Sequence, residues 1–158
     1  MTANPLKTGT QDLVGSDQGD VVTGSFGPDK LAGGLGVDQL SGGLGSDVFA
    51  LTFADPAADI LIDFTPAEDK ILISGVQSSS KLGRFLKGGS ESNKVLATVS
   101  SAKTATRSKR LYAYDEQTGN LYFNPNGAKK GYGSGGGLVA ELPPLLDLAP
   151  TDLQFSYI

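Results

Sequence analysis

Four aspartates, Asp20, Asp29, Asp38 and Asp47, recur every nine residues, each closing a glycine-rich hexapeptide and each standing two residues before an apolar one. Written in nines, residues 15–50 read GSDQGDVVT, GSFGPDKLA, GGLGVDQLS and GGLGSDVFA. A carboxylate in a turn that can curl at positive φ is suited to a hard cation, because the glycines let several backbone carbonyls face one point while the aspartate supplies charge. Calcium fits such a donor set, since it takes six to eight oxygens at flexible angles and accepts carbonyls as readily as carboxylates. The expected ligands are Asp20, Asp29, Asp38 and Asp47, with carbonyls of Gly24, Gly27, Gly33, Gly34, Gly36, Gly42, Gly43 and Gly45. One turn is half a cage. The other half must come from the turn stacked one coil away, eighteen residues along, which pairs Asp20 with Asp38 and Asp29 with Asp47.

The outer units depart from this pattern. Leu6 to Val14 keeps Gly9 and Leu13 but has Gln11, a neutral oxygen, at the aspartate position. In the next unit Asp17 adds a carboxylate and Gln18 replaces a glycine; in the one after, Ser25 replaces a glycine and Pro28 precedes the aspartate. These changes weaken the outer sites. Asp59 and Asp63 have two readings, as ligands completing a site against Asp38 or Asp47, or as charges at a strand end. Asn124-Pro-Asn-Gly127 offers amides where carboxylates would sit and reads as a plain turn.

The elements that must position these residues follow from the same period. Six residues of turn and three of strand make half a coil, whose inward side chain is the eighth residue: Leu13, Val22, Leu31, Leu40 and Phe49. These stack as two apolar columns between two short parallel sheets, each side chain contributing about 1.5 to 3 kcal/mol of burial. About two good coils are few for a solenoid, so the roll is expected to need both metal and a cap. After Phe49 the texture changes to strand-like runs: Asp59 to Phe64, Lys70 to Ser74, Lys94 to Val99, Arg110 to Asp115, Asn120 to Asn124 and Leu138 to Leu142. Glu116-Gln-Thr-Gly119 joins two of them as a hairpin, and Val76 to Gly89 reads as an excursion with one helical turn at Lys81 to Leu86. The expected fold is all-β: an N-terminal segment with a degenerate repeat (1–14), a short parallel β-roll of nonapeptide repeats (15–50), and a β-sandwich-like C-terminal cap (51–158).

Composition removes much chemistry. The 158 residues contain no histidine and no cysteine, which excludes imidazole bases, thiol nucleophiles, disulfides and zinc fingers. No G-x-S-x-G or P-loop occurs, so no enzyme activity is expected. Residues 1–80 hold eleven Asp or Glu against three Lys, net −8, and residues 81–158 hold six against ten Lys or Arg, net +4. Localised acidity fits divalent cations, and the mixed basic half gives no case for nucleic acid. Neither an N-terminal signal peptide nor a membrane span is visible. A flexible linker is excluded by the register, because linkers do not place an apolar residue two positions after an aspartate every nine residues.

Gly33 to Ser41 and Gly42 to Ala50 resemble the GGxGxDxUx unit of RTX proteins, the hemolysin-type calcium-binding repeats. Asp59-Ile-Leu-Ile-Asp-Phe64 and Glu68-Asp-Lys-Ile-Leu-Ile-Ser74 are similar to the segment that follows the roll in the C-terminal domains of serralysin-type proteases, as are Leu111 to Gly127 and Leu138 to Leu142 to its closing strands. The resemblance implies a parallel β-roll with calcium between stacked turns, folding driven by extracellular calcium, and export by type I secretion machinery that reads an uncleaved C-terminal signal. Asp152 to Ile158 reads equally as that signal or as a final strand. The role expected is a secreted, extracellular calcium-binding module. Two alternatives stand beside it: a surface-layer or adhesive protein whose Lys81 to Arg110 stretch, with eight Lys or Arg and one Glu, touches anionic cell-envelope polysaccharide, and an accessory module of a separately encoded enzyme.

Overall fold

A computed structural model describes residues 8–52, 57–76, 95–125, 129, 131–132 and 136–157. Each nonapeptide folds as a turn followed by a short strand: β1 (Asp12–Val14), β2 (Val21–Ser25), β3 (Lys30–Ala32), β4 (Gln39–Gly43) and β5 (Val48–Thr52). Successive strands go to opposite sheets, so strands pair with the next but one, in parallel: β1 with β3 and β3 with β5 on one side, β2 with β4 on the other. Register places Leu13 beside Leu31 beside Phe49, and Val22 beside Leu40. All five are buried. Side chains alternate faces along a strand, so a three-residue strand has one inward position, and the eighth residue of each unit occupies it.

Parallel stacking continues beyond residue 50 with longer coils. β6 (Asp59–Leu61) pairs with β4, and β7 (Lys70–Val76) pairs with β5, bringing Leu61 beside Leu40 and Ile71 beside Phe49. Phe64, expected within a strand, instead turns inward against Phe49 with ring centroids 5.8 Å apart.

Beyond these coils the later strands extend the roll's own two sheets. β8 (Leu96–Val99), β9 (Tyr112–Asp115), β10 (Asn120–Phe123) and β11 (Gly137–Glu141) enlarge the even sheet to seven strands in the order β2-β4-β6-β11-β10-β9-β8. β12 (Leu153–Tyr157) lies parallel to β7 and completes a five-stranded sheet, β1-β3-β5-β7-β12. The hairpin expected around Glu116 to Gly119 is present, with β9 and β10 antiparallel and Gly119 at φ +83°. A short helix, α1 (Ala102–Ala105), capped by Ser101, covers the outer face near β9. Tyr112 bridges the sheets, its ring 5.2 Å from that of Phe123 and 5.8 Å from that of Phe155. The excursion beyond Val76, with its helical turn at Lys81 to Leu86, and half of the Asn124 to Gly127 turn lie outside the described residues.

β12 is fastened by a buried carboxylate. Asp152 accepts from Ala67 N (3.1 Å), Ala149 N (2.9 Å) and Lys70 Nζ (3.1 Å), tying the entry of β12 to that of β7. Replacing Asp152 by Ala removes the acceptor of two backbone amides and breaks the ion pair with Lys70, an expected loss of about 2 to 3 kcal/mol read from the urea midpoint. Leu40→Ala should cost about 2 to 5 kcal/mol by the same measurement, while exposed Val21→Ala stays within about 0.5.

Candidate metal centre

The aspartates form two ladders. The Oδ1 of Asp29, Asp38 and Asp47 accepts a hydrogen bond from the backbone amide of the residue one coil earlier: Asp38 from Asp20 N (2.8 Å), Asp47 from Asp29 N (2.8 Å) and Asp29 from Gln11 N (2.9 Å). The predicted pairs, Asp20 with Asp38 and Asp29 with Asp47, are therefore stacked neighbours. Asp59 continues one ladder by accepting from Asp38 N (3.1 Å), and Asp69 continues the other by accepting from Asp47 N (2.9 Å). Asp69 was not among the expected residues. Its signal was present, since Asp69 stands two places before inward Ile71 as Asp47 does before Phe49, but the longer coil hides it from a nine-residue register.

The other oxygen, Oδ2, lies within its own turn. Asp20 Oδ2 accepts from Ser16 N (2.7 Å) and Ser16 Oγ (2.6 Å); Asp29 Oδ2 accepts from Ser25 N (2.7 Å) and Ser25 Oγ (2.8 Å). Asp38 Oδ2 is fully buried and receives no hydrogen bond. It lies against Gly33, and Asp47 Oδ2 lies against Gly42, so closely that any β-carbon there would overlap the carboxylate.

The glycines let the turns nest on one another. Gly34, at φ +113°, faces the carbonyl of Ser16, and Gly43, at φ +94°, faces that of Ser25, each too closely for a side chain. The carbonyls of Gly33 and Gly42 meet Gly15 and Gly24, while Gly36 packs on Gln18 and Gly19, Gly45 on Gly27 and Pro28, and Gly27 on Thr8 and Gly9. Gln11 serves as a donor, its Nε2 giving a hydrogen bond to Ser25 Oγ (2.9 Å). Asp63 accepts from Ser41 Oγ (2.7 Å), Gly42 N (2.8 Å) and Gly43 N (3.0 Å), bracing the last nonapeptide turn from the coil below. Asp17 stands exposed on the first turn.

Burial of this acidity has an electrostatic consequence. Desolvation pushes the Asp47 carboxyl up to about 6, against the amide of Asp29 that favours its charged form, with the charges of Asp69, Asp29 and Asp63 adding to the rise. Desolvation raises Asp69 for the same first reason. Asp20 moves the other way, lowered by the hydroxyl and amide of Ser16. A buried carboxylate oxygen without a donor is costly unless a cation meets it. Among the described residues no three acidic side chains converge, so a metal held here draws on carbonyls as well as carboxylates. Stacked glycine turns suit calcium in that respect, and Asp38 and Asp47 with the carbonyls around them would hold it.

A parallel roll with an aspartate in every glycine turn is a metal-binding solenoid. Residues 14–49 match the RTX calcium-binding nonapeptide repeat in four copies, so this segment of the chain is an array of calcium-binding RTX repeats. No curated protein matches it.

Two outcomes follow. Gly34→Ala combines a positive φ with a backbone overlap and should cost at least about 2 kcal/mol, read by urea denaturation in calcium. With calcium chelated, the fold should gain stability as pH falls from about 6 towards 4, because a folded-state value of about 6 for Asp47 lies above its ordinary value of 3.8, so the folded form binds the proton more tightly. With millimolar calcium the trend should reverse, since protons then compete with the metal; urea midpoints across pH with and without chelator check both signs.

Proposed function

We propose that the chain is a secreted module that folds on meeting calcium outside the cell and has no catalytic centre of its own. The observation carrying this reading is the pair of buried aspartate ladders, with the Asp38 oxygen left without a donor. RTX repeats are typical of secreted proteins, and among the described residues no helix is long and apolar enough to cross a membrane.

Adjacent strands lie about 4.8 Å apart, so carboxylates of one ladder sit roughly 5 Å from the next. At an effective dielectric near 20, two such charges repel by about 3 kcal/mol, comparable to what one inward Leu or Phe contributes by burial. Where calcium is scarce the aspartates therefore oppose the columns of Leu, Val and Phe, and the roll stays open and exportable. Calcium supplies the divalent charge and the coordination that this chain's carboxylates and turn carbonyls complete. At about 100 times its Kd, ligand binding adds about 2.7 kcal/mol per site, enough to decide the state of so short a roll. In this reading the segment from Asp152 is the address for type I secretion machinery before folding and enters the sheet as β12 afterwards. The absence of histidine and cysteine supports the non-catalytic part of the reading.

Calcium titrated into chelator-treated protein should raise the far-ultraviolet β signal and the urea midpoint together. An unchanged signal and midpoint from zero to millimolar calcium would contradict the proposal. Calcium-loaded protein assayed against polysaccharides should show no turnover, and robust hydrolysis or epimerisation would overturn the non-catalytic reading.

A further inference from the structure

The four nonapeptide turns share a register but adopt two forms. In the turns ending at Asp20 and Asp29, position two is Ser16 or Ser25, and neither serine has a positive φ. Each gives both its amide and its hydroxyl hydrogen to the aspartate Oδ2, and each Oγ also accepts from the amide two residues on, Gln18 N (3.3 Å) or Gly27 N (3.5 Å). A carboxylate oxygen has two lone pairs, so Oδ2 is filled from within its own turn. Asp29 is satisfied on both sides, its Oδ1 being held by Gln11 N.

In the turns ending at Asp38 and Asp47, position two is Gly34 or Gly43 at φ +113° or +94°, and position four is Gly36 or Gly45 at φ +105° or +126°. The positive φ turns the position-two amide away from its own aspartate. Gly43 N goes instead to Asp63 Oδ2, together with Gly42 N to Asp63 Oδ1, and Asp38 Oδ2 is buried without any donor. One sequence period thus yields two turns closed by serine and two whose carboxylates lack an internal partner.

We infer that the array is divided: Ser16 and Ser25 latch the first two turns in shape without metal, and calcium is taken by the carboxylates of the Asp38 and Asp47 turns, with Asp20 and Asp29 excluded as carboxylate ligands. This rests on the calcium reading above and narrows it. A latched turn still offers its outward carbonyls, those of Ser16 and Ser25, to the open turn stacked on it. The division makes Asp20 and Asp29 structural acceptors despite their identical place in the repeat.

Calorimetric titration of the full chain with calcium tests this. Asp38→Asn and Asp47→Asn should each weaken calcium binding at least about ten-fold, or about 1.4 kcal/mol, whereas Asp20→Asn and Asp29→Asn stay within about three-fold. Equal losses at all four aspartates would overturn the division while leaving calcium binding intact. Wild-type protein that binds no calcium would overturn the calcium reading and the division together. A second variant does not depend on losing a ligand: Ser16→Gly with Ser25→Gly removes the hydroxyl donor from both Oδ2 atoms and, by restoring glycine at position two, admits the positive φ of the open turns, and should bind more calcium per chain than wild type. Unchanged stoichiometry in that variant would show that the serines are not latches.

Discussion

Everything in this fold depends on stacking aspartates one coil apart and burying the carboxylates of Asp29, Asp38, Asp47, Asp59 and Asp69 as it does so. The aspartate is fixed there by the backbone, because its Oδ1 takes the amide of the residue stacked above it and so sets the register between coils. The same arrangement that aligns the coils lines up like charges. The stacking bond and the repulsion therefore cannot be separated, and the roll needs a positive partner or a neutral one at each rung.

The ends of the ladders show how the chain manages this with its own residues. At the first rung Gln11 replaces aspartate, so the stack opens with a neutral side chain that bonds Ser25 Oγ. Where the roll passes into the cap, Asp152 stands beside β7 and is met by two amides and the Lys70 ammonium. Between these ends the serine-bearing turns satisfy their carboxylates internally and the all-glycine turns do not. The rise of Asp47 to about 6 reflects that unmatched interior, since burial and three neighbouring carboxylates outweigh the one amide that favours its charge.

Much of this was legible in the sequence because the roll is periodic and local. Leu13, Val22, Leu31, Leu40 and Phe49 could be assigned inward from spacing alone, and so could the stacking of Asp20 on Asp38 and of Asp29 on Asp47. Asp59 stood as a candidate against Asp38 or Asp47, but spacing could not choose its rung and gave no sign of Asp69, because coils of 21 and 22 residues break the count while the stacking persists. Nor could it give the sheet order of the cap, in which β11 meets β6 and β12 meets β7 across long separations. Ser25 was visible only as a departure from a glycine pattern and Ser16 was not singled out; that both fill the aspartate oxygen follows from backbone angles that residue identity does not encode.

The central claim is that the buried, donorless oxygen of Asp38 faces bound calcium. Crystals grown in calcium, with diffraction recorded at a long wavelength where calcium scatters anomalously, test it directly. An anomalous peak is expected within about 2.3 to 2.6 Å of an Asp38 carboxylate oxygen, with backbone carbonyls of the stacked turns completing the shell. A calcium-soaked structure without such a peak, or with Asp38 Oδ2 bonded to a backbone amide, would contradict it.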